Sequence, residues 1–398
     1  MTEYELRGGL QPDVSAVAAV LAHHSVEGPD GKPPGEALVF AVSGGIGAGY
    51  ILWDFAHETT STIVFGFRAR WQYPQDWLKS TVDRLGLGLD LHTTGGKRAA
   101  AKRLTTELEA GRPVIVLPDR ESLGYWHLPP EMSGGGGHFV VAYGEEDGRV
   151  LVDDRNLARL TVDRKTFDAA RGRVGSYKNL LATIEPGEVS DWRTAVRDGL
   201  TDCVRNLSAP SKSFSLPAWE RWAKAMTDER DPKGWPRAFG ERRGLVGALF
   251  NVWESVTPAG MEGGHLRGLF ADALTEAAGL LELPALAEQA PTWRGIGERW
   301  AELAETAVPA SNAEFAWVRG LVSAVSAGVR EGDAGQDAAA SAGAEMWKMR
   351  AHYNDETPFT EAEARELFGT MGGMIRDIHT AETAAIRELS EVLRALME

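Results

Sequence analysis

The pattern of the chain changes once, near Asp191, and that change limits the fold more than any single motif. Upstream, short apolar runs alternate with glycine- and proline-bearing turns; downstream the β-branched runs vanish and helical spacing takes over. Eight helices are expected there, over Trp192 to Ser208, Trp219 to Met226, Arg243 to Val256, Gly264 to Leu280, Trp293 to Ala307, Glu314 to Arg330, Ala338 to His352 and Thr360 to Leu396. Pro210, Pro217, Pro258, Pro284, Pro291, Pro309 and Pro358 punctuate them, as residues that cannot continue a helix. A chain of 398 residues is too long for one ordinary core. The expectation is an α+β domain over residues 1–187 followed by an all-α helical domain over 188–398. The tryptophans that recur through the second half read as large core residues between helices rather than as a cofactor box. Glu331 to Gly343, rich in Ala, Gly and Asp, carries the weakest core signal and is expected to be mobile.

In the first half, residues 10 to 24 form a helix with Val17, Val20, Leu21 and His24 on one face, capped by Asp13 or Ser15. Glu36 to Val42 reads as a short buried strand. Ser43-Gly44-Gly45-Ile46-Gly47-Ala48-Gly49-Tyr50 then resembles a dinucleotide loop, but its glycines lack the required order and a strand, not a helix, follows. It is expected instead to be a close-packed turn that lines a substrate pocket through Gly44, Gly45 and Tyr50. Further strands are expected at Thr62 to Phe67, Pro113 to Leu117, Leu160 to Val162 and Leu180 to Ile184. Helices are expected from Trp71 to about Leu85, from Lys97 to Ala110 and around Thr166 to Ala170.

The chemistry concentrates in Ser133-Gly134-Gly135-Gly136-Gly137-His138, a flexible loop leading into a hairpin of Phe139 to Tyr143 and Val150 to Asp153. The start of one antiparallel strand lies beside the end of the next, so His138 can meet Asp153 or Asp154 across the ladder. A histidine oriented by a carboxylate is the general base of acyl-transfer sites. The bland alternative is a surface hairpin with turn-capping aspartates. Trp126 and Asp153 flank the histidine as candidate substrate contacts. No H-x-x-x-H, H-E-x-x-H or EF-hand pattern supports a metal, and no cofactor is expected.

Charge and cysteine content narrow the partners. A formal charge of −15 argues against a general binder of nucleic acid or anionic membrane. The one cysteine, Cys203, allows no internal disulfide, and the first residues lack the basic-then-apolar order of a signal peptide, so a cytoplasmic location is expected.

Taken together, the early helix, Glu36-Ala37-Leu38 running to Tyr50, Gly111-Arg112-Pro113-Val114-Ile115, and Gly137-His138-Phe139-Val140-Val141 with Asp154 resemble the butirosin H-type acyltransferase N-terminal domain. Leu266 to Trp300 is similar to the helical C-terminal domain of that family's relatives. The resemblance implies a papain-like fold and acyl transfer from a carrier-protein thioester to the amine of an aminoglycoside. It implies His138 as the family histidine, Asp154 as its carboxylate, and a cysteine at the start of the first helix. Here that position falls at Pro12 or Asp13, and no thiol stands there. Three readings stay open: Ser15 as a substitute nucleophile, His138 as a base for direct attack with Asp13 receiving an ammonium group, or an inactive pocket.

The leading expectation is an acyltransferase-like enzyme of natural-product biosynthesis that passes an acyl group from a carrier-protein or coenzyme A thioester to an amine or hydroxyl by His138-assisted direct attack, without a cysteine. The competing classes are an inactive binding or scaffold protein on the same fold, and a non-acyl cyclase or isomerase that uses His138 as a base. Expected partners are a small-molecule substrate and an acyl carrier protein. Amphipathic helix faces would serve a homodimer or a domain interface equally well.

Overall fold

The computed structural model describes residues 3–53, 61–240 and 242–395. In chain order the first part holds α1 (Pro12–His23), α2 (Glu36–Val42), β1 (Ile46–Trp53), β2 (Thr62–Arg68), α3 (Pro74–Leu85), β3 (Leu89–His92), α4 (Lys97–Glu109), β4 (Val114–Val116), α5 (Arg120–Leu123), β5 (Val140–Glu146), β6 (Arg149–Asp153), β7 (Leu160–Asp163), α6 (Arg164–Arg173) and β8 (Leu181–Ile184). Only helices follow among the described residues: α7 (Trp192–Leu207), α8 (Pro217–Ala225), α9 (Trp235–Ala238), α10 (Leu245–Val256), α11 (Arg267–Leu281), α12 (Pro284–Glu288), α13 (Ala290–Ala307), α14 (Ala313–Arg330), α15 (Gln336–Asp355) and α16 (Glu361–Arg394). The region before about residue 190 is thus mixed sheet and helix, and the region after it is helix-rich.

These elements gather into two compact units that interleave along the sequence. One takes the residues up to Val39, then Leu85–Trp192 and Arg319–Trp347; the other takes Phe40–Arg84, Arg193–Val318 and the chain from Lys348. Trp192 closes one stretch of the first unit and Arg193 opens one of the second. The β1–β2 hairpin, however, groups with the helices, and Arg319–Trp347 groups with the sheet.

The first unit is built on a six-stranded antiparallel sheet in the order β3-β8-β4-β5-β6-β7. Its central strands read as unbroken apolar runs, Val114-Ile115-Val116 and Val140-Val141-Ala142, because they are covered on both faces. Helix α1 packs on β4 and β5 through fully buried Val14, Val17, Val20 and Leu21, each worth about 1.5–3 kcal/mol of burial. Its cap is Gln11, whose side chain accepts the Val14 amide at 2.8 Å, and neither Asp13 nor Ser15 serves. Pro12 fixes the first helical position, so the cap must precede it.

Two sequence expectations fail here for physical reasons. Glu36 to Val42 is helix α2, not a strand: six buried apolar residues in a row carry no period that separates the two. What decides it is local hydrogen bonding at the end, where the Gly45 and Gly44 amides return to the Phe40 and Ala41 carbonyls. The segment Glu331 to Gly343 is also held. The Asp333 carboxylate accepts the Thr161 amide at 2.8 Å, and the Asp333 amide donates to the Arg159 carbonyl at 2.7 Å, fastening it along β7.

The second unit wraps helices around the β1–β2 hairpin, with α8 on β1 and α10 on β2. Gly49 and Gly66 face each other in the hairpin, and the Trp71 indole lies across both. A Cβ at either glycine would come within 2.3 Å of the Trp71 ring, so no other residue fits. Trp219, Trp222 and Trp300 pack with Phe67 and Tyr50, mostly tilted or edge to face, near a fully buried Glu382–Arg267 pair. Both Trp219 Nε1 and Trp300 Nε1 donate to Glu382, at 3.0 and 2.8 Å. These tryptophans are core residues.

Candidate active site

The glycine run ahead of His138 is anchored at several points rather than free. The Asp119 carboxylate, completely buried, accepts the Gly134 amide at 2.9 Å and caps α5 through the Ser122 amide at 3.1 Å. Asp119 and Gly137 form a β-bridge, and the His138 amide donates to the Pro118 carbonyl at 2.9 Å. Gly137 lies so close to Leu117 and Tyr177 that a Cβ would come within 2.5 Å of each. The histidine therefore enters β5 in a fixed position.

Across the β5–β6 ladder, Val141 pairs with Asp153, which brings the ends of the two strands together. His138 Nε2 lies 2.9 Å from both oxygens of Asp154, and the two side chains are 1% and 0% exposed. Three further residues donate to the same carboxylate. Tyr125 Oη approaches at 3.0 Å, Trp126 Nε1 at 2.9 Å, and the Arg155 guanidinium at 3.2 and 3.3 Å. Trp126 also stands edge-on to the imidazole, with ring centres 6.1 Å apart.

This arrangement fixes the proton on the imidazole. Burial alone would raise the Asp154 carboxyl, but the charges of His138 and Arg155, with the hydrogen bonds from His138 and Trp126, hold it well below the usual carboxylate range. An ionised carboxylate only accepts, so Nε2 carries a hydrogen, and whenever the ring is neutral the lone pair is on Nδ1. Among the described residues, Nδ1 has no hydrogen-bond partner. Arg155 matters for a second reason: its permanent positive charge offsets that of the Asp154 carboxylate. Its backbone adopts φ 60°, which turns the chain sharply enough to bring the guanidinium back onto the preceding carboxylate. The same guanidinium donates to the Leu10 carbonyl at 2.9 Å and so links the pair to the segment that opens α1.

Of the other residues expected at the site, Asp153 and Asp154 take different roles. Asp153 accepts Tyr4 Oη at 2.8 Å and the Arg155 amide at 3.0 Å, and burial pushes its carboxyl up to about 6 despite those bonds. Burial likewise pushes the Tyr4 and Tyr125 hydroxyls well above the ordinary tyrosine value, with Asp153 and Asp154 adding to it respectively. Trp126, expected to contact substrate, spends its N–H on Asp154. Asp13 is buried in the first turn of α1. Ser15 is also buried and donates its hydroxyl to Glu36 at 2.6 Å; Glu36 also receives the Leu10 and Gln11 amides.

Gly44, Gly45 and Tyr50 belong to the second unit, where they are buried. Tyr50 stacks on Trp222 and accepts Trp235 Nε1 at 3.0 Å, and Gly45 is packed against Phe270 and Cys203. The helix that stands where a strand was expected leads this turn into an aromatic core. Cys203 lies in the same core, its thiol pushed up to about 12 by burial. Tyr125, Arg155 and Tyr4 were missed as partners. The only sequence signals for them were the Tyr-Trp pair before the glycine run and an arginine directly after the two aspartates.

Residues 11–155 match the family described as butirosin biosynthesis protein H, N-terminal. The first part of the chain belongs to that family. The butirosin H-type match runs from the cap of α1 to Arg155, so it takes in His138, Asp154 and every residue between them. It is followed by a match to a domain of unknown function, DUF4872, over residues 168–334. No curated protein matches the chain. Among the described residues no helix is long and apolar enough to cross a membrane, and no three His, Cys, Asp or Glu residues gather into a site for a metal ion.

Proposed function

We propose that the protein is an acyltransferase-type enzyme in which His138 acts through Nδ1 as a general base, without an acyl group ever resting on the protein. An amine or hydroxyl acceptor attacks the carbonyl carbon of an acyl thioester while Nδ1 takes the acceptor's proton. The tetrahedral intermediate then collapses, the C–S bond breaks, and the imidazolium returns the proton to the departing sulfur. Asp154 holds the ring and offsets its transient charge, Arg155 keeps Asp154 ionised, and Tyr125 and Trp126 keep the carboxylate from turning. A thioester is already activated, so a positioned base worth about 10²–10⁴-fold is a useful contribution without a thiol nucleophile.

The observation that carries this reading is the fully donated Asp154 carboxylate, which leaves Nδ1 as the one basic ring atom. The family match supports acyl transfer in antibiotic biosynthesis as the setting, and a papain-like first domain as its frame. Ser15, committed to Glu36, is left out of the chemistry. Asp13 stands at the helix start, where the resemblance expects the cysteine, and as a buried carboxylate it suits an acceptor's ammonium group.

Thiol release from acyl thioesters in the presence of amine acceptors tests the reading. His138→Ala should lower turnover by about 10²–10⁴-fold; unchanged turnover would remove the base assignment. A second reading, a ligand-binding scaffold without catalysis, draws support from the near-complete burial of both side chains. Binding of the same thioester with no thiol release from any donor and acceptor pair would favour it.

A further inference from the structure

In the second unit three arginines converge on a single carboxylate. Asp202 of α7 is 3% exposed at its side chain and is met by Arg84 at 2.5 Å, by Arg70 at 3.2 Å and by Arg205. Among the described residues the Arg70 and Arg205 side chains have no other hydrogen-bonding or ionic partner, and that of Arg84 adds only the Val42 carbonyl, at 2.8 Å. Three positive charges against one leave a local excess of two in a chain whose formal charge is −15. The cluster grades outward from a buried floor, with side-chain exposures of 14% at Arg84, 32% at Arg70 and 68% at Arg205. Gly44 borders it, since a Cβ there would lie 3.9 Å from Asp202 Oδ2.

A carboxylate can pair with one guanidinium in full and a second in part. Each guanidinium carries five donors, so most of those on Arg70 and Arg205 are left without a protein acceptor. Holding three like charges together costs free energy that one carboxylate does not offset, and a doubly charged tetrahedral anion would offset it. Planar N–H forks match phosphate oxygens in pairs. We infer that Arg70, Arg84 and Arg205, gathered by Asp202, bind a phosphate group.

Calorimetric titration of the full chain with coenzyme A, dephospho-coenzyme A and a phosphopantetheinyl-serine peptide tests the site and separates its sources. Arg205→Gln and Arg70→Gln should each weaken binding by about tenfold to a hundredfold, the worth of a charge-assisted hydrogen bond. Arg197→Gln, on the same helix but paired with Asp198, should leave it unchanged. Raising salt from about 0.05 M to about 0.3 M should weaken binding to the wild type. Equal affinity across the variants, or no binding of any phosphate probe by the wild type, overturns the inference.

Discussion

Asp154 organises the site because its charge is matched twice, by a permanent cation in Arg155 and a conditional one in His138. Asp154→Asn keeps the volume but makes half of the group a donor, so Nε2–H loses its best acceptor and the ring is free to change tautomer. Turnover is expected to fall by at least about a hundredfold. Arg155, 9% exposed, would be left buried without its counter-charge, so unfolding by denaturant should show a loss of about 3–5 kcal/mol. Retention of both activity and stability would contradict the network. Asp153 behaves in the opposite sense. Its folded pKa of about 6 lies above the unfolded value of about 3.9, so the folded state binds the proton more tightly. The stability this contributes is complete below about pH 4 and is lost as pH rises through about 6. Relative to Asp153→Asn, the wild type should lose about 3 kcal/mol between those pH values, read from denaturant midpoints in parallel. At this scale the sequence revealed the histidine and both carboxylates, since a hairpin ladder places strand ends side by side. Tyr125, Arg155 and Tyr4 escaped because their contacts depend on a left-handed residue and on chain segments distant in sequence.

Helix ends and close backbone approaches decide the elements. Thr360 and Glu363 form a reciprocal cap on α16, the Glu363 amide donating to Thr360 Oγ1 at 3.2 Å and the Thr360 amide to Glu363 Oε2 at 2.7 Å. Thr360→Ala should cost about 1 kcal/mol in chemical unfolding, with no change in turnover. Gly66→Ala is the harsher substitution, because its methyl group would meet Trp71 Nε1 at 2.1 Å. It should cost about 1–3 kcal/mol through forced repacking, and an unchanged midpoint would mean that the indole moves aside freely. The long helices were legible to within a few residues, because amphipathic spacing and proline stops agree. Helix α2 was not, since a uniformly apolar run of that length fits either element. The short pieces β3, α9 and α12 were missed because they are too brief for any period to register.

In each unit, among the described residues, a buried carboxylate gathers several donors into a closed set. In the second unit Glu382 receives Arg267 at 2.8 and 2.9 Å together with two indole N–H groups, all within the tryptophan core. Glu382→Ala should destabilise by about 3–5 kcal/mol, since it leaves a buried guanidinium and two buried indoles without acceptors. In the first unit the closed set is the Asp154 network, and it differs in having one ring atom to spare. That spare atom, Nδ1 of His138, is the basis for reading the unit as an enzyme that does without the missing thiol. The most direct test is intact-protein mass spectrometry on samples quenched while an acyl thioester is being turned over. The account predicts that the protein keeps its unmodified mass throughout; an acyl adduct that builds up, maps to Ser15 or Asp13 and disappears when the amine acceptor is added would contradict it.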